Sequence, residues 1–322
     1  MIHRYWRSMV FFLFLAGFLL SAPIVVLYTA GYRYHFGAGK IVKTGVLSVS
    51  STPRGADILL NGARTAEKTP AVVSNVLPGA HKVRVAKNGY APWQKTLDVY
   101  SKQTTFAREI VLFLDGEPER TEAKALDAPS QPTRAWQTVP ITYTLQHVSD
   151  RSVLSLTDEN GVAAILAYLP LGSYAFEDAP APYLLLRDEL RGRLILVDST
   201  DTIQPILLNT DAKEWAWSRE GDALLVSDGF DIEAYAPSLH RRETITRLST
   251  PITGLVWYPL GRVAVFEHGG NVYAQELDRR GEPNTTTLVQ GLEVATFWFS
   301  GDGAWILGTL RDGMGFRKRL QR

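Results

Sequence analysis

The chain has 322 residues, with 34 Lys and Arg against 33 Asp and Glu, and no cysteine. Balanced charge leaves no electrostatic footprint for nucleic acid. The lack of thiols excludes disulfides, thiolate zinc sites and cysteine nucleophiles together, and it suits an oxidising space without demonstrating one.

Residues 9–30 carry no charged side chain. As a helix at about 1.5 Å per residue they match a hydrocarbon core of roughly 30 Å, where a lone segment must pair its own backbone. Pro23 removes one internal N–H, a loss membrane helices tolerate. Arg4 and Arg7 resemble the basic start of a cleaved leader, but the apolar run exceeds the usual 7–15 residues and no A-x-A site closes it. The expectation is an uncleaved transmembrane helix at 9–30 behind a cytoplasmic tail, 1–8. Arg33, Lys40 and Lys43 follow the helix and nearly cancel the basic residues before it, yet Arg4 and Arg7 lie closer, which favours an inside N-terminus.

Residues 31–44 read as a short exposed juxtamembrane stalk, with Tyr28, Tyr32, Tyr34 and Phe36 suited to a membrane–water interface. From 45 to 114 short alternating runs are broken by turn residues. Five strands are expected: one opening with Val46, Leu47 and Val49, then 58–60, 82–86, 96–100 and 110–113. Asn61-Gly62 marks a tight turn, since both residues tolerate positive φ. Pro53, Pro70, Pro78 and Pro92 fall between runs, where a missing N–H does no harm. This is the pattern of a small all-β sandwich.

The string SSTPRGADILLNG (50–62), Thr69-Pro70, LPGAHKVRV (77–85) and NGYAPWQKTLDV (88–99) resembles the PEGA domain in order. Its name-giving tetrapeptide stands here as Pro53-Arg54-Gly55-Ala56, with Arg54 in place of the acid. The resemblance covers about a fifth of the chain. It implies a β-sandwich module of bacterial or archaeal surface and exported proteins, without catalytic residues, and so places the bulk of the chain outside. Gly55, Gly62, Gly79 and Gly89 are read as turn glycines, and Tyr90 and Trp93 as large apolar area for a small core. A sugar-stacking platform is the alternative role for Trp93.

Residues 115–133 are polar and proline-rich and read as a linker, with a helical turn around 119–126. The remainder, 134–322, contains a repeat. Trp217 and Gly221, Trp257 and Gly261, and Phe299 and Gly303 share one spacing, each followed by an apolar strand, a glycine turn and another strand. Phe176 and, more weakly, Trp136 head earlier units. A period of about 40 with four short strands per unit is that of a β-propeller, here about five units whose faces can be buried only by stacking. The aromatic-x-x-x-Gly turn resembles TolB-type and WD-type propeller repeats, though no WD dipeptide closes a unit. The last unit is too short for four strands, so a segment near 126–136 or 140–145 is expected to complete it; an incomplete or curved stack is the alternative.

The histidines at 3, 35, 81, 147, 240 and 268 show no metal-ligand spacing, and His268 is expected at an exposed hairpin turn. Ser300 in FSGDG lacks the first glycine of a nucleophile elbow and belongs to the repeat turn. Because five-bladed propellers include glycosidases with channel carboxylates, Glu177, Asp178, Asp188, Glu214, Asp228, Asp231 and Glu267 are candidates, with solvated turn acids as the ordinary reading. The stretches 158–161 and 198–201 faintly suggest calcium loops but lack the full ligand spacing. Asn284-Thr285-Thr286 matches a glycosylation acceptor, and 37–39 lacks the context of a phosphate loop.

No catalytic, cofactor-binding or metal residues are therefore assigned. The leading expectation is a non-enzymatic, single-pass surface protein whose propeller binds a protein or a cell-wall polysaccharide, with the membrane as its other partner and no nucleic acid. The alternatives are a propeller hydrolase of surface polysaccharide and an envelope-assembly factor of TolB-like type.

Overall fold

The computed structural model describes residues 2–35, 39–126, 142–157 and 162–322. Its contacts divide the chain into two units, one of Met1–Leu112 with Arg280–Glu282 and one of Phe113–Arg279 with Pro283–Arg322.

The first unit opens on a helix, α1, Ile2–Thr29, which runs through Pro23 without a break. Its Met9–Thr29 stretch has mean hydropathy 2.7 and no buried share, a length and composition that can cross a membrane. The helix ends in Gly31, at φ 82°, the left-handed position that glycine occupies without strain. Arg33 donates to the Tyr28 carbonyl at 2.7 Å and lies 3.7 Å over the Tyr28 ring, a cation at a helix C-terminus. Where a stalk was expected, β1 (Tyr32–His35) and β2 (Lys40–Lys43) form a hairpin with Tyr32 opposite Lys43.

The sandwich follows, with β3 Gly45–Thr52, β4 Asp57–Leu60, β5 Ala63–Lys68, β6 Ala71–Val76, β7 Gly79–Ala86, β8 Trp93–Val99 and β9 Thr104–Val111. One sheet has the order β6-β3-β9 and the other β5-β4-β7-β8; only β3 and β9 run parallel among the described pairings. Strict alternation in β3 and β8 sends Leu47, Val49, Trp93, Leu97 and Val99 into the core between the sheets. Asn61 (φ 51°) and Gly62 (φ 85°) make the two-residue turn between β4 and β5.

The second unit begins with β10, Glu119–Thr121, and continues through five antiparallel sheets in chain order. The first holds β11 Thr142–Val148, β12 Arg151–Thr157 and β13 Ala163–Pro170. The second holds β14 Tyr174–Glu177, β15 Tyr183–Asp188, β16 Arg193–Asp198 and β17 Ile206–Asp211. The third holds β18 Glu214–Trp217, β19 Leu224–Ser227, β20 Asp231–Ala236 and β21 Arg241–Arg247. The fourth holds β22 Ile252–Trp257, β23 Val263–His268, β24 Asn271–Glu276 and β25 Thr285–Val289. The fifth holds β26 Val294–Phe299, β27 Trp305–Leu310 and β28 Gly315–Arg319.

Successive sheets bury their faces against one another. Leu154, Leu166 and Leu169 pack on Leu186, Ile195 and Val197; Leu185, Leu194 and Leu196 pack on Leu224, Val226 and Tyr235; Leu225, Ile232 and Ile245 pack on Ile252, Ala264 and Phe266. Tyr258 joins the fourth sheet to the fifth, with its hydroxyl donating to the Gly303 carbonyl at 2.8 Å and its ring 5.2 Å from Phe299. This is the propeller-like stacking that the 40-residue period predicts.

Two expectations need correction. The fifth sheet is completed by β10, which pairs with β28 through Arg120 opposite Phe316, and so by residues inside the stretch read as a linker. Residues 140–145 instead run into β11, which pairs with β12, while 127–136 and Trp136 lie outside the described residues. Phe113 and Leu114 group with the second unit because the Leu114 N–H donates to the Leu320 carbonyl at 3.0 Å and Phe113 meets Tyr258 edge-on at 5.0 Å.

Candidate binding surfaces

The third and fourth sheets of the second unit touch through equivalent positions 40 or 41 residues apart, which sets them in the same orientation. The Glu214 carboxylate, at the start of β18, accepts the N–H groups of Gly254 (3.0 Å) and Leu255 (2.5 Å) near the start of β22. At the other end the Trp257 indole N–H donates to the Ala216 carbonyl at 2.9 Å, and Arg262 pairs with Asp222 at 2.6 Å. One end of the unit therefore gathers the starts of the first strands and the turns between second and third strands. The opposite end gathers the aromatic-x-x-x-Gly turns.

At the first end the turns repeat a pattern. Asp188, Asp228 and Asp312 each accept, through Oδ1, the backbone N–H two residues on, at 3.0, 2.8 and 3.0 Å. Each Asx turn holds an apolar residue at its tip: Leu190 is 74% exposed, Phe230 44% and Met314 38%. Three of the five sheets thus present a large apolar side chain to solvent at the turn between second and third strands. Burial alone would push the Asp188 carboxyl up, but the Arg191 guanidinium at 2.8 Å and the N–H groups of Arg191 and Leu190 hold it below its ordinary value. For Asp228 the Phe230 N–H is the main cause of a lowered value, against opposing burial.

The fourth sheet has Gly269-Gly270 at this turn, and a cavity of about 400 Å³ opens beside it, lined by Thr250, Thr253, Glu267, Val294 and Arg311 among others. Glu267 is only 5% exposed; it accepts the Gly270 N–H at 2.6 Å and the Thr253 hydroxyl, and Arg311 stands 3.9 Å away. Gly270 sits at φ +80°, a backbone conformation that side chains rarely adopt, and with Gly269 beside it this turn carries no apolar tip. The face is therefore an interrupted set of apolar tips beside a polar cleft.

Each candidate from the sequence has a definite place. Glu177 pairs with Arg187 at 2.7 Å, Asp231 with Arg247 at 3.0 Å, and Asp178 is exposed. Glu214 and Glu267 bind backbone N–H groups, and Asp188 and Asp228 cap turns, as described. His268 is half-buried rather than exposed, within 3.1 Å of the Thr250 hydroxyl. The Ser300 hydroxyl accepts the Trp305 N–H at 2.9 Å and donates to Asp302 at 2.6 Å, which ties up the repeat turn. Asp198 and Asp201 accept the N–H groups of Thr200 and Ile203 at 2.8 Å each, as turn acids. Residues 158–161 lie outside the described residues, and among those described no metal-holding group of side chains occurs. Trp93 is 5% exposed in the sandwich core, so the indole face is not available as a sugar platform. The sequence reading missed the apolar tips, although Asp-x-apolar after a strand, in register with the repeat at 188, 228 and 312, is their written signal.

The fold and these surfaces define a protein with an apolar N-terminal helix, a small β-sandwich and a five-sheet propeller-like unit. Residues 44–112 match the PEGA domain model, which agrees with the resemblance drawn from the Thr69 and Gly55 motifs. In the sandwich Thr69 explains those motifs: its hydroxyl accepts the Ala56 N–H at 3.0 Å and bonds Ser51 at 2.7 Å, while its carbonyl accepts the Gly55 N–H at 2.6 Å. Comparison with curated proteins returned no match. Among solved structures the chain is similar to Kluyveromyces lactis Hsv2 (10% identity, TM-score 0.34, 53% of this chain and 56% of that one), so it spans little more than half of that structure. It is also similar to a chain from a mitotic checkpoint complex (12%, 0.37, 90% and 81%) and to the Dos1 propeller (15%, 0.34, 52% and 52%). At these TM-scores the likeness carries no argument, and the architecture rests on the strand register above.

Proposed function

We propose that this chain is a membrane-anchored, non-enzymatic binding protein. Helix α1 spans the bilayer with the N-terminus in the cytoplasm, and both β units lie outside. The second unit receives a protein partner on the end that carries Leu190, Phe230 and Met314. The observation that carries this reading is the repetition of one Asx-turn device that holds an apolar side chain in water on three sheets. Isolated exposed apolar residues are ordinary, whereas several convergent on one face mark an interaction surface. A protein suits such tips better than a polysaccharide, whose hydroxyls need polar partners. The non-enzymatic reading is supported by the placement of the seven candidate carboxylates, which hold backbone N–H groups, pair with arginine or lie exposed.

The test is site-specific photocrosslinking in whole cells with a benzophenone residue at position 230. The expected result is a discrete protein adduct that fades when Leu190 and Met314 are both changed to Ser. The same probe at Ile203, which is 87% exposed at the opposite end, is expected to give none. Equal adducts from both positions, or an adduct indifferent to L190S/M314S, would remove this face from the reading.

A further inference from the structure

The chain leaves α1 into a fixed base rather than a tether. The Thr44 N–H and hydroxyl both donate to the Gly31 carbonyl, at 3.0 and 2.9 Å, which closes the β1–β2 hairpin on the end of the helix. The hairpin is in turn bonded to the connection between β8 and β9. There the Ser101 hydroxyl donates to the Lys43 carbonyl at 2.8 Å, and the Lys102 N–H to the Thr44 carbonyl at 3.0 Å. Gly45 lies so close to this connection that a Cβ would stand 2.4 Å from the Tyr100 carbonyl oxygen, an approach only glycine allows. A helix end, a hairpin and a turn 58 positions further along the chain are thereby held together.

This base is cationic. Arg33, Lys40 and Lys43 stand between Ala30 and Thr44, and Lys102 between Val99 and Phe106, with no Asp or Glu in either segment. Among the described residues none of the four has an acidic partner. The nearest acid, Asp98, precedes Val99 and faces Ala80 across to β7, one carboxylate against four cations. Arg33 lies 3.7 Å over the Tyr28 ring and Lys43 5.9 Å over the Tyr32 ring. Tyr28, Tyr34, Ile41 and Tyr100 surround them, each more than half exposed, with Tyr34 opposite Ile41 in the hairpin.

The depth of these groups relative to the helix selects their partner. A bilayer of about 40–45 Å with a core of about 30 Å leaves a headgroup layer of roughly 5–8 Å on each side. The apolar stretch ends at Thr29. Arg33 is two residues from Gly31, Lys43 is next to Thr44, and Lys102 is bonded to Thr44. Exposed tyrosines suit the same layer. Lys and Arg are ordinarily in excess on the cytoplasmic side, so the proposed orientation of α1 does not by itself account for four cations beyond it.

We infer that the base formed by the hairpin and the β8–β9 turn binds the headgroups of anionic phospholipid, through Lys43 and Lys102 with Arg33 beside them. The inference rests on the membrane-spanning reading of α1. Two lysines from distant segments meet at Thr44, where the helix enters the headgroup layer, and offer their donors to phosphate. A lipid surface is favoured over a soluble anion because the set is continuous with the helix and its tyrosines and Ile41 gain a partly apolar neighbour only there.

The chain has no cysteine, so Ile41→Cys supplies a single attachment point for an NBD fluorophore. The labelled full chain is placed in phosphatidylcholine nanodiscs that carry a minor fraction of spin-labelled phosphatidylglycerol, or of phosphatidylcholine with the same spin label. Quenching is expected to be at least about twofold stronger with the anionic lipid. The preference should shrink as salt rises from about 0.05 to 0.5 M. Lys43→Gln/Lys102→Gln, which leaves the backbone bonds of the base intact, is expected to abolish it. Lys82→Gln/Arg84→Gln, an equal charge change elsewhere on the sandwich, is expected to leave it unchanged. Equal quenching by the two lipids overturns the inference while the anchor stands, as does a preference that survives Lys43→Gln/Lys102→Gln or is lost equally in both variants. A chain that does not enter the discs overturns the anchor, and the inference falls with it.

Discussion

Asp188 shows how one buried acid is kept charged in a turn. Its carboxylate is almost sealed from water, but a guanidinium and two backbone N–H groups reach it. Its folded value is lower than in the unfolded chain, so the native state binds fewer protons. The contribution to stability is complete above the unfolded value, about 3.9, and is lost as pH falls through the lower folded value. Asp188→Asn keeps an acceptor for the backbone but loses the Arg191 pair, whose arginine is half-exposed. The expected cost is about 1 kcal/mol at pH 7. Hydrogen exchange of the β15–β16 turn should show faster opening in the variant at pH 7 and a smaller difference from wild type near pH 3. An unchanged gap at both pH values would mean the ion pair contributes nothing. Thr69 is a comparable single residue, with both backbone groups and hydroxyl committed to the 53–56 turn. For that reason Arg54, exposed at the same turn, departs from the family tetrapeptide without disturbing it.

At the scale of elements, some strands were legible in sequence and others were not, for physical reasons. The alternation of β3 and β8 and the Asn61-Gly62 turn are local properties. The 40-residue repeat was visible because an aromatic residue and a glycine recur in three units where the chain turns from first to second strand. By contrast β5 is mostly exposed and polar, and β6 leaves Val72 in water while burying only Val76, so no apolar alternation marks either. β10 is three largely exposed residues, and only its partner β28 makes it a strand. The acids were found by composition, but their roles depend on distances that no spacing encodes. Deletion of Glu119–Thr121 tests the importance of β10. It would leave β28 as an open edge, and unpaired edges recruit other chains. The expected result is self-association in sedimentation velocity, with faster exchange in β27 and β28; a monomer with unchanged exchange would show the strand to be dispensable.

For the whole molecule, the proposed anchor makes a sharp demand on the N-terminus. No described side chain of Met9–Thr29 is buried by the rest of the protein, so the helix has no packing role within the chain that would explain its apolar surface. Burial of that surface in lipid, at about 25 cal/mol per Å², is the term the proposed anchor relies on. Protein extracted from membranes is expected to have an intact mass that includes residues 9–30, and to resist carbonate extraction. A mature chain that starts beyond Ala22 and washes off with carbonate would turn the helix into a leader and remove the anchor.

The partnership of β10 with β28 also sets a timetable. Glu119 and Arg317 are 198 positions apart, and the ribosome adds roughly 5–20 residues each second, so the early strand waits on the order of 10–40 s before its mate exists. During that interval the first four sheets can collapse on one another, and β26 and β27 of the fifth arrive only near its end. A nascent or clipped polypeptide that stops short of Gly315 leaves β10 without a mate, so residues 315–319 are what ties the early strand into its sheet.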